Sequence, residues 1–203
     1  MTNELASCGD NAVATLQANA SIPEGMGVDG HYYVECRDAN GNLKWTEEFP
    51  NLVVAVGKQL MLDTFLRTSG TYTTVGPFLG LIGNNTTFAQ SDTMGSHTWT
   101  EFINYTSSPT GTAIRGTAVF NASVNNGTAS PANVVTSSAN SITYTITGAG
   151  GTVYGCFLVT GSGAVNTLSS TAGTLYSEGN FSVAKAVTVG DTVAVTYSTT
   201  ATS

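Results

Sequence analysis

A chain of 203 residues and 20.8 kDa can bury one sizeable core but is too short for two ordinary domains without a visible linker. Charged residues make up 9% of it, against about 25% in ordinary globular domains, so Thr, Ser, Asn and Gly occupy positions where ions usually stand. Six basic residues against thirteen acidic ones, a net charge of −7 with no Lys or Arg cluster, exclude nucleic-acid binding by phosphate neutralisation.

Residues 1–30 mix Ala, Asn, Ser and Gly without sustained periodicity, and Pro23-Glu24-Gly25-Met26-Gly27 breaks any helix that the Ala-rich part starts. They read as an extended N-terminal arm, with a single domain over 31–203. Met1-Thr2-Asn3-Glu4-Leu5 lacks the basic start and apolar core of a signal peptide, and no apolar run is long enough to span a bilayer. No membrane partner is expected.

Tyr32–Arg37 and Leu43–Glu48 predict a hairpin across Asn40-Gly41, with Tyr33, Glu35 and Arg37 on a wet face and Tyr32, Val34 and Cys36 opposite. Asp38, Asn40 and Asn42 alternate like calcium ligands, but the twelfth position of that pattern is Phe49, so a turn suffices to explain them. After Pro50, the recurrence of Val53, Val56, Leu60, Met61 and Phe65 at three and four residues predicts the one helix, ended by Thr68-Ser69-Gly70. That helix is expected to cap an open end of the fold.

The remainder reads as strand: "TYTTVGPFLGLIGN", "AIRGTAVFNASV", a hairpin across Gly148-Ala149-Gly150-Gly151, and two last strands across Gly190-Asp191. Alternation of Val193, Val195 and Tyr197 with Thr192, Ala194 and Thr196 marks a half-buried strand. Eight or nine short strands at this spacing predict an all-β fold, a two-sheet antiparallel sandwich of jelly-roll or Ig-like type, with one short helix.

Chemistry is harder to assemble. "SDTMGSHTWTEF" gathers Asp92, Ser96, His97 and Glu101, but triad members normally converge from separate elements and no G-x-S-x-G is present. Asp92 reads instead as a helix cap, with Trp99 and Phe102 anchoring a loop on the core. Glu47, Glu48 and Glu101 are the nearest approach to paired carboxylates; adjacent Glu47 and Glu48 face opposite sides of a strand, and a solvated edge accounts for the set. Gly150-Gly151 lacks the helix that phosphate binding needs. Cys8, Cys36 and Cys156 form neither a metal pattern nor an even disulfide set, and suit a reducing compartment. The expectation is therefore no enzyme, no catalytic residue, no metal and no cofactor.

Acidic residues are divided unevenly. Only Glu178 and Asp191 lie beyond residue 101, which suggests that an acidic first half and a near-neutral second half face different surroundings.

Taken in order, "WTEEFPNLVVAVGKQLMLDTFL", "FLGLIGNNTTFAQSDTMGSHTWTEF", Tyr105 to Arg115, "TVYGCFLVTGS" and "VGDTVAVTYSTT" resemble segments of a group of small tailed-bacteriophage virion proteins. The shared features are W-x-x-x-x-x-N-x-V before a helix, G-L-x, an Asp-Thr-Met loop and a closing G-D-T-x-x-V-T-Y strand, over roughly residues 31 to 199. The resemblance implies a virion component and carries no catalytic residue. On it rests the expectation of a capsid cement or decoration protein, assembled in the host cytoplasm and placed on the capsid surface. Its partners would be the major capsid protein and copies of itself. The alternative is a tail-fibre or head-fibre module, partnered by tail-fibre or adaptor proteins, that holds host glycans through rings such as Tyr72, Trp99 and Tyr105.

Overall fold

A computed structural model describes residues 27–66, 75–120, 132–133 and 141–202. Most of the expected arm, and Thr68-Ser69-Gly70, Tyr72 and Cys8, lie outside the described residues.

Among the described residues, twelve strands and one helix follow one another as β1 (Gly27–Arg37), β2 (Leu43–Pro50), β3 (Leu52–Val53), α1 (Ala55–Leu66), β4 (Phe78–Ile82), β5 (Glu101–Phe102), β6 (Tyr105–Ser107), β7 (Gly116–Thr117), β8 (Ala132–Asn133), β9 (Ile142–Ile146), β10 (Gly151–Thr160), β11 (Thr174–Val187) and β12 (Thr192–Thr202). They form two antiparallel sheets packed face to face, the expected sandwich. Sheet A has the order β2-β1-β12-β9-β6, with β8 also on β12; sheet B has the order β3-β11-β10-β4-β5, with β7 also on β4. β1 begins at Gly27, inside the stretch expected to be arm.

Alternation decides which side chains enter the core. Tyr32, Val34 and Cys36 of β1, Ile142, Tyr144 and Ile146 of β9, and Val193, Val195 and Tyr197 of β12 meet Leu79, Leu81, Cys156 and Leu158 of sheet B. Of the three predicted hairpins only that across Asn40-Gly41 forms, Gly41 with φ of 84°, a conformation that a side chain resists. The turns at Gly148–Gly151 and Gly190-Asp191 do reverse the chain, but each carries it from one sheet to the other: β9 and β12 belong to sheet A, β10 and β11 to sheet B, and the strands expected to pair across these turns face each other through the core. Asp38 Oδ1 accepts from the N–H groups of Asn40 and Asn42 at 2.9 and 2.8 Å, so this acidic residue is used up by its own turn.

Sheet B is buried on both sides. Its outer face presents Ile82, Phe157, Val159 and Leu175, covered by Met94 and Trp99 of the 83–100 connection and by Val54 at the entrance to α1. The helix runs against β11: Val54 N donates to Tyr176 O, and a Cβ on Gly57 would stand 2.5 Å from that same oxygen. Leu60 stands beside Gly161 and Thr174, so the helix packs where β10 ends and β11 begins.

β11 departs twice from regular pairing. Ser177 stands opposite Leu158 and Leu175 opposite Val159, leaving Tyr176 as an extra residue. The bulge lets Tyr176 and Ser177 both face inward and turns Glu178 to the outer face. Further on, Lys185 pairs Val153 and Asn180 pairs Gly155, so Phe181–Ala184 arch over a single residue of β10.

Candidate functional site

Each expected carboxylate and histidine has a structural partner. Glu101, at the start of β5, is clasped by Arg115: Nε to Oε1 at 2.9 Å and Nη2 to Oε2 at 2.8 Å, with side-chain exposures of 3% and 1%. Ser169 N donates to Glu101 Oε2 at 2.6 Å, and Arg115 Nη2 donates to Ser170 O at 2.7 Å. A fork-to-fork ion pair with its remaining valences on a loop backbone is a pin that fixes residues 165–171 against β5. Ser169 adopts φ of 60° there, a left-handed conformation costly for a residue other than Gly.

The four residues gathered from sequence as a triad do not form one. His97 stacks on the Trp99 indole, ring centres 3.6 Å apart, with Nδ1 on Trp99 O at 2.9 Å. Burial lowers its pKa, so at neutral pH Nδ1–H is the donor and the carbonyl the acceptor. Asp92 caps no helix. It closes a turn, accepting from Ala89 N at 2.9 Å through Oδ2 while its own N–H donates to Ala89 O. Ser96 is engaged by its backbone with Thr93. Trp99 and Phe102 are anchors, as expected, 3% and 7% exposed.

Burial corrects the glycan-ring expectation for two of its three side chains. Trp99 and Tyr105 are inside the protein and offer no face to a sugar. The solvated-edge account of the carboxylates also fails for Glu47. It points inward and holds the arch of β11, accepting from Ser182 N and Lys185 Nζ at 2.8 Å each. Burial pushes its carboxyl up, but Lys185 and Ser182 outweigh this and leave it below its ordinary range. Glu48, on the opposite face, lies 3.4 Å from His31.

Arg115 and Glu178 are important residues that the sequence reading passed over. The signal was present: the charged residues beyond 101 are Arg115, Glu178, Lys185 and Asp191, and a lone ion in an apolar strand is kept only if it is paired. All four are buried or largely so, in the core or under the segments that cover sheet B. Arg115 meets Glu101, Lys185 meets Glu47, and Asp191 meets Lys44 at 2.5 Å.

The outer face of sheet A is consequently almost free of ions on one side. Thr106 stands beside Thr145, Thr145 beside Thr192, and Thr143 beside Ala194, with Thr196 and Ser198 continuing along β12. Their neighbours Val193, Val195 and Tyr197 are core, which places this hydroxyl array outward. Across β1, Thr192, Ala194 and Thr196 are followed by Arg37, Glu35 and Tyr33. The acidic first half and neutral second half of the chain thus share one surface as adjacent strips, because β1 pairs with β12.

Two clefts open among the described residues. One of about 300 Å³ opens between the sheets beside Pro77, Phe120, Tyr176 and Tyr197. Another of about 230 Å³ lies between His97, Thr100, Glu101 and Ser169–Thr171. Among the described residues no three His, Cys, Asp or Glu side chains converge as metal ligands would, and no helix is long and apolar enough to cross a membrane.

Neither a protein-family model, nor a curated protein, nor a solved structure matches the chain.

Proposed function

We propose that this chain is a structural component of a tailed-bacteriophage virion: a capsid cement or decoration protein that bridges major capsid subunits and neighbouring copies of itself on the capsid surface. It is assembled in the host cytoplasm and alters no molecule. The observation that supports this most is the hydroxyl array of β6, β9 and β12, an outward face on which the second half of the chain presents no ion because its four charges are buried or largely so. Packing such a face against another polypeptide costs little, since a neutral hydroxyl is cheaper to desolvate than an ammonium or carboxylate and regains a hydrogen bond on contact. Each contact contributes modestly, and many linked contacts around a shell hold at high effective concentration.

The test is a count and a substitution. Purified particles should carry hundreds of copies, and Thr143→Lys with Thr196→Lys should lower occupancy at least tenfold while leaving the melting temperature of the free protein within about 2 °C. Removal of residues 1–25 should leave a folded domain with weakened attachment. Full occupancy in both variants rejects the reading.

A tail-fibre module that holds glycans is the second reading. The cleft beside His97 and Ser169–Thr171 favours it, being lined by hydroxyls and by an imidazole whose Nδ1 is already committed. A few to tens of copies per particle, with binding lost in Ser169→Ala with Thr171→Ala, would select it.

A further inference from the structure

Residues 84–100 leave sheet B after β4, cross its outer face and return as β5. Their attachment centres on Glu178, which the Tyr176 bulge turns beneath them. Glu178 is 0% exposed; Oε2 accepts from Trp99 Nε1 at 2.7 Å, while Oε1 has no donor around it. The other carboxyl at this point is Asp92, 9% exposed, whose Oδ2 is taken by Ala89 N.

Among the described residues, the other charges buried in the second half have counter-ions, Arg115 with Glu101 and Asp191 with Lys44. Glu178 faces an acid. Two carboxyls in contact away from water are compatible when one carries a proton, and the bare Oε1 is where a proton turns an orphan acceptor into a donor to Asp92.

We propose that this shared proton is a latch, clamping residues 84–100 onto sheet B through Glu178 and Asp92 and letting them go when it is lost.

Among the described residues, no cation stands where it would take over the role. The 84–100 segment brings Asp92 and His97, the latter kept neutral above the ordinary histidine range by burial. β5 brings Glu101, already clasped by Arg115. Phe157 of β10 and Leu52 of β3, the pairing partners of Glu178, carry no charge. α1, whose Ala55 N donates to Gln90 O, brings Lys58, which is exposed, and Asp63.

Burial first, then Asp92, with Trp99 opposing, push the Glu178 carboxyl up from 4.5 to about 8. In the released segment it meets water and returns to its ordinary range. The closed form therefore keeps its proton across a window in which the open form has lost it. The open-to-closed ratio rises tenfold per pH unit from about 4.5 to about 8 and is level above.

Hydrogen exchange of the full chain between pH 7 and 9.5 tests this, comparing wild type with Glu178→Gln at each pH so that intrinsic exchange cancels. The glutamine amide donates to Asp92 and its carbonyl accepts from Trp99, so that variant keeps the clamp without a titrating proton. Opening at the amides of residues 92–100, relative to the variant, should rise about fivefold between pH 7 and 8 and then flatten, while β1 and β12 amides stay unchanged. Parallel profiles in the two proteins overturn the latch, as does an equal rise in β1 and β12, which would make the proton a global stabiliser. Should Glu178→Gln not fold, Asp92→Asn decides: removing the neighbouring carboxylate should move the plateau to lower pH, and an unmoved plateau refutes the proposal.

Discussion

Arg115 illustrates how few ions this protein uses and how much each one holds. Its guanidinium is spread over Glu101 and the carbonyls of Val165 and Ser170, and lies 5.1 Å above the Phe157 ring. Removing it alone leaves a carboxylate in a water-poor site. Arg115→Met should therefore lower stability by about 3–5 kcal/mol in urea denaturation, and adding Glu101→Gln should recover a large part of that. An additive double variant would mean that the two side chains act separately. The acidic turn residue Asp38 was legible from spacing alone because its partners are two and four residues away. Arg115 and Glu101 are fourteen residues apart and meet only through the folding of sheet B, so the sequence offered their scarcity as a clue and nothing of their geometry.

At the scale of elements, the β1–β2 hairpin was legible because its turn carries its own chemistry, and the half-buried faces of β1 and β12 because period-two alternation survives burial on one side only. The turns at Gly148–Gly151 and Gly190-Asp191 were legible as turns but not as crossovers, since glycine marks a reversal and says nothing of which sheet the next strand joins. Sheet B hid its design. With both faces covered, β10 reads as the run Val153 to Val159 without a polar beat, and the bulge at Tyr176 leaves no mark in the sequence. Gly155 is one sequence mark of this packing. A Cβ there would stand 2.0 Å from Gly179 O, backbone that cannot swing aside. Gly155→Ala should cost about 1–3 kcal/mol, measured by chemical denaturation, although its φ is ordinary. A neutral substitution would show that the β10–β11 spacing relaxes.

For the whole molecule, the sandwich class followed from strand number and spacing, while the order of strands within the sheets did not. β1 lies between β2, its neighbour in sequence, and β12, which is last in the chain. The core of sheet A cannot close until the final strand arrives, so loop-closure entropy is spent before much apolar surface is buried. Refolding from urea should accordingly take milliseconds to seconds, and deletion of Thr192–Thr202 should abolish cooperative unfolding; microsecond refolding would contradict the topology as the source of the barrier.

One register in that sheet has a use of its own. Gly27 and Thr202 are cross-strand partners, so polypeptide enters and leaves the described domain at a single corner. A short Gly-Ser bridge between these two positions, with new ends opened at the Asn40-Gly41 tip, should give a circularly permuted protein that still folds. Conversely, any payload genetically joined at either position will be displayed from the same point, leaving the opposite end of the sandwich unobstructed.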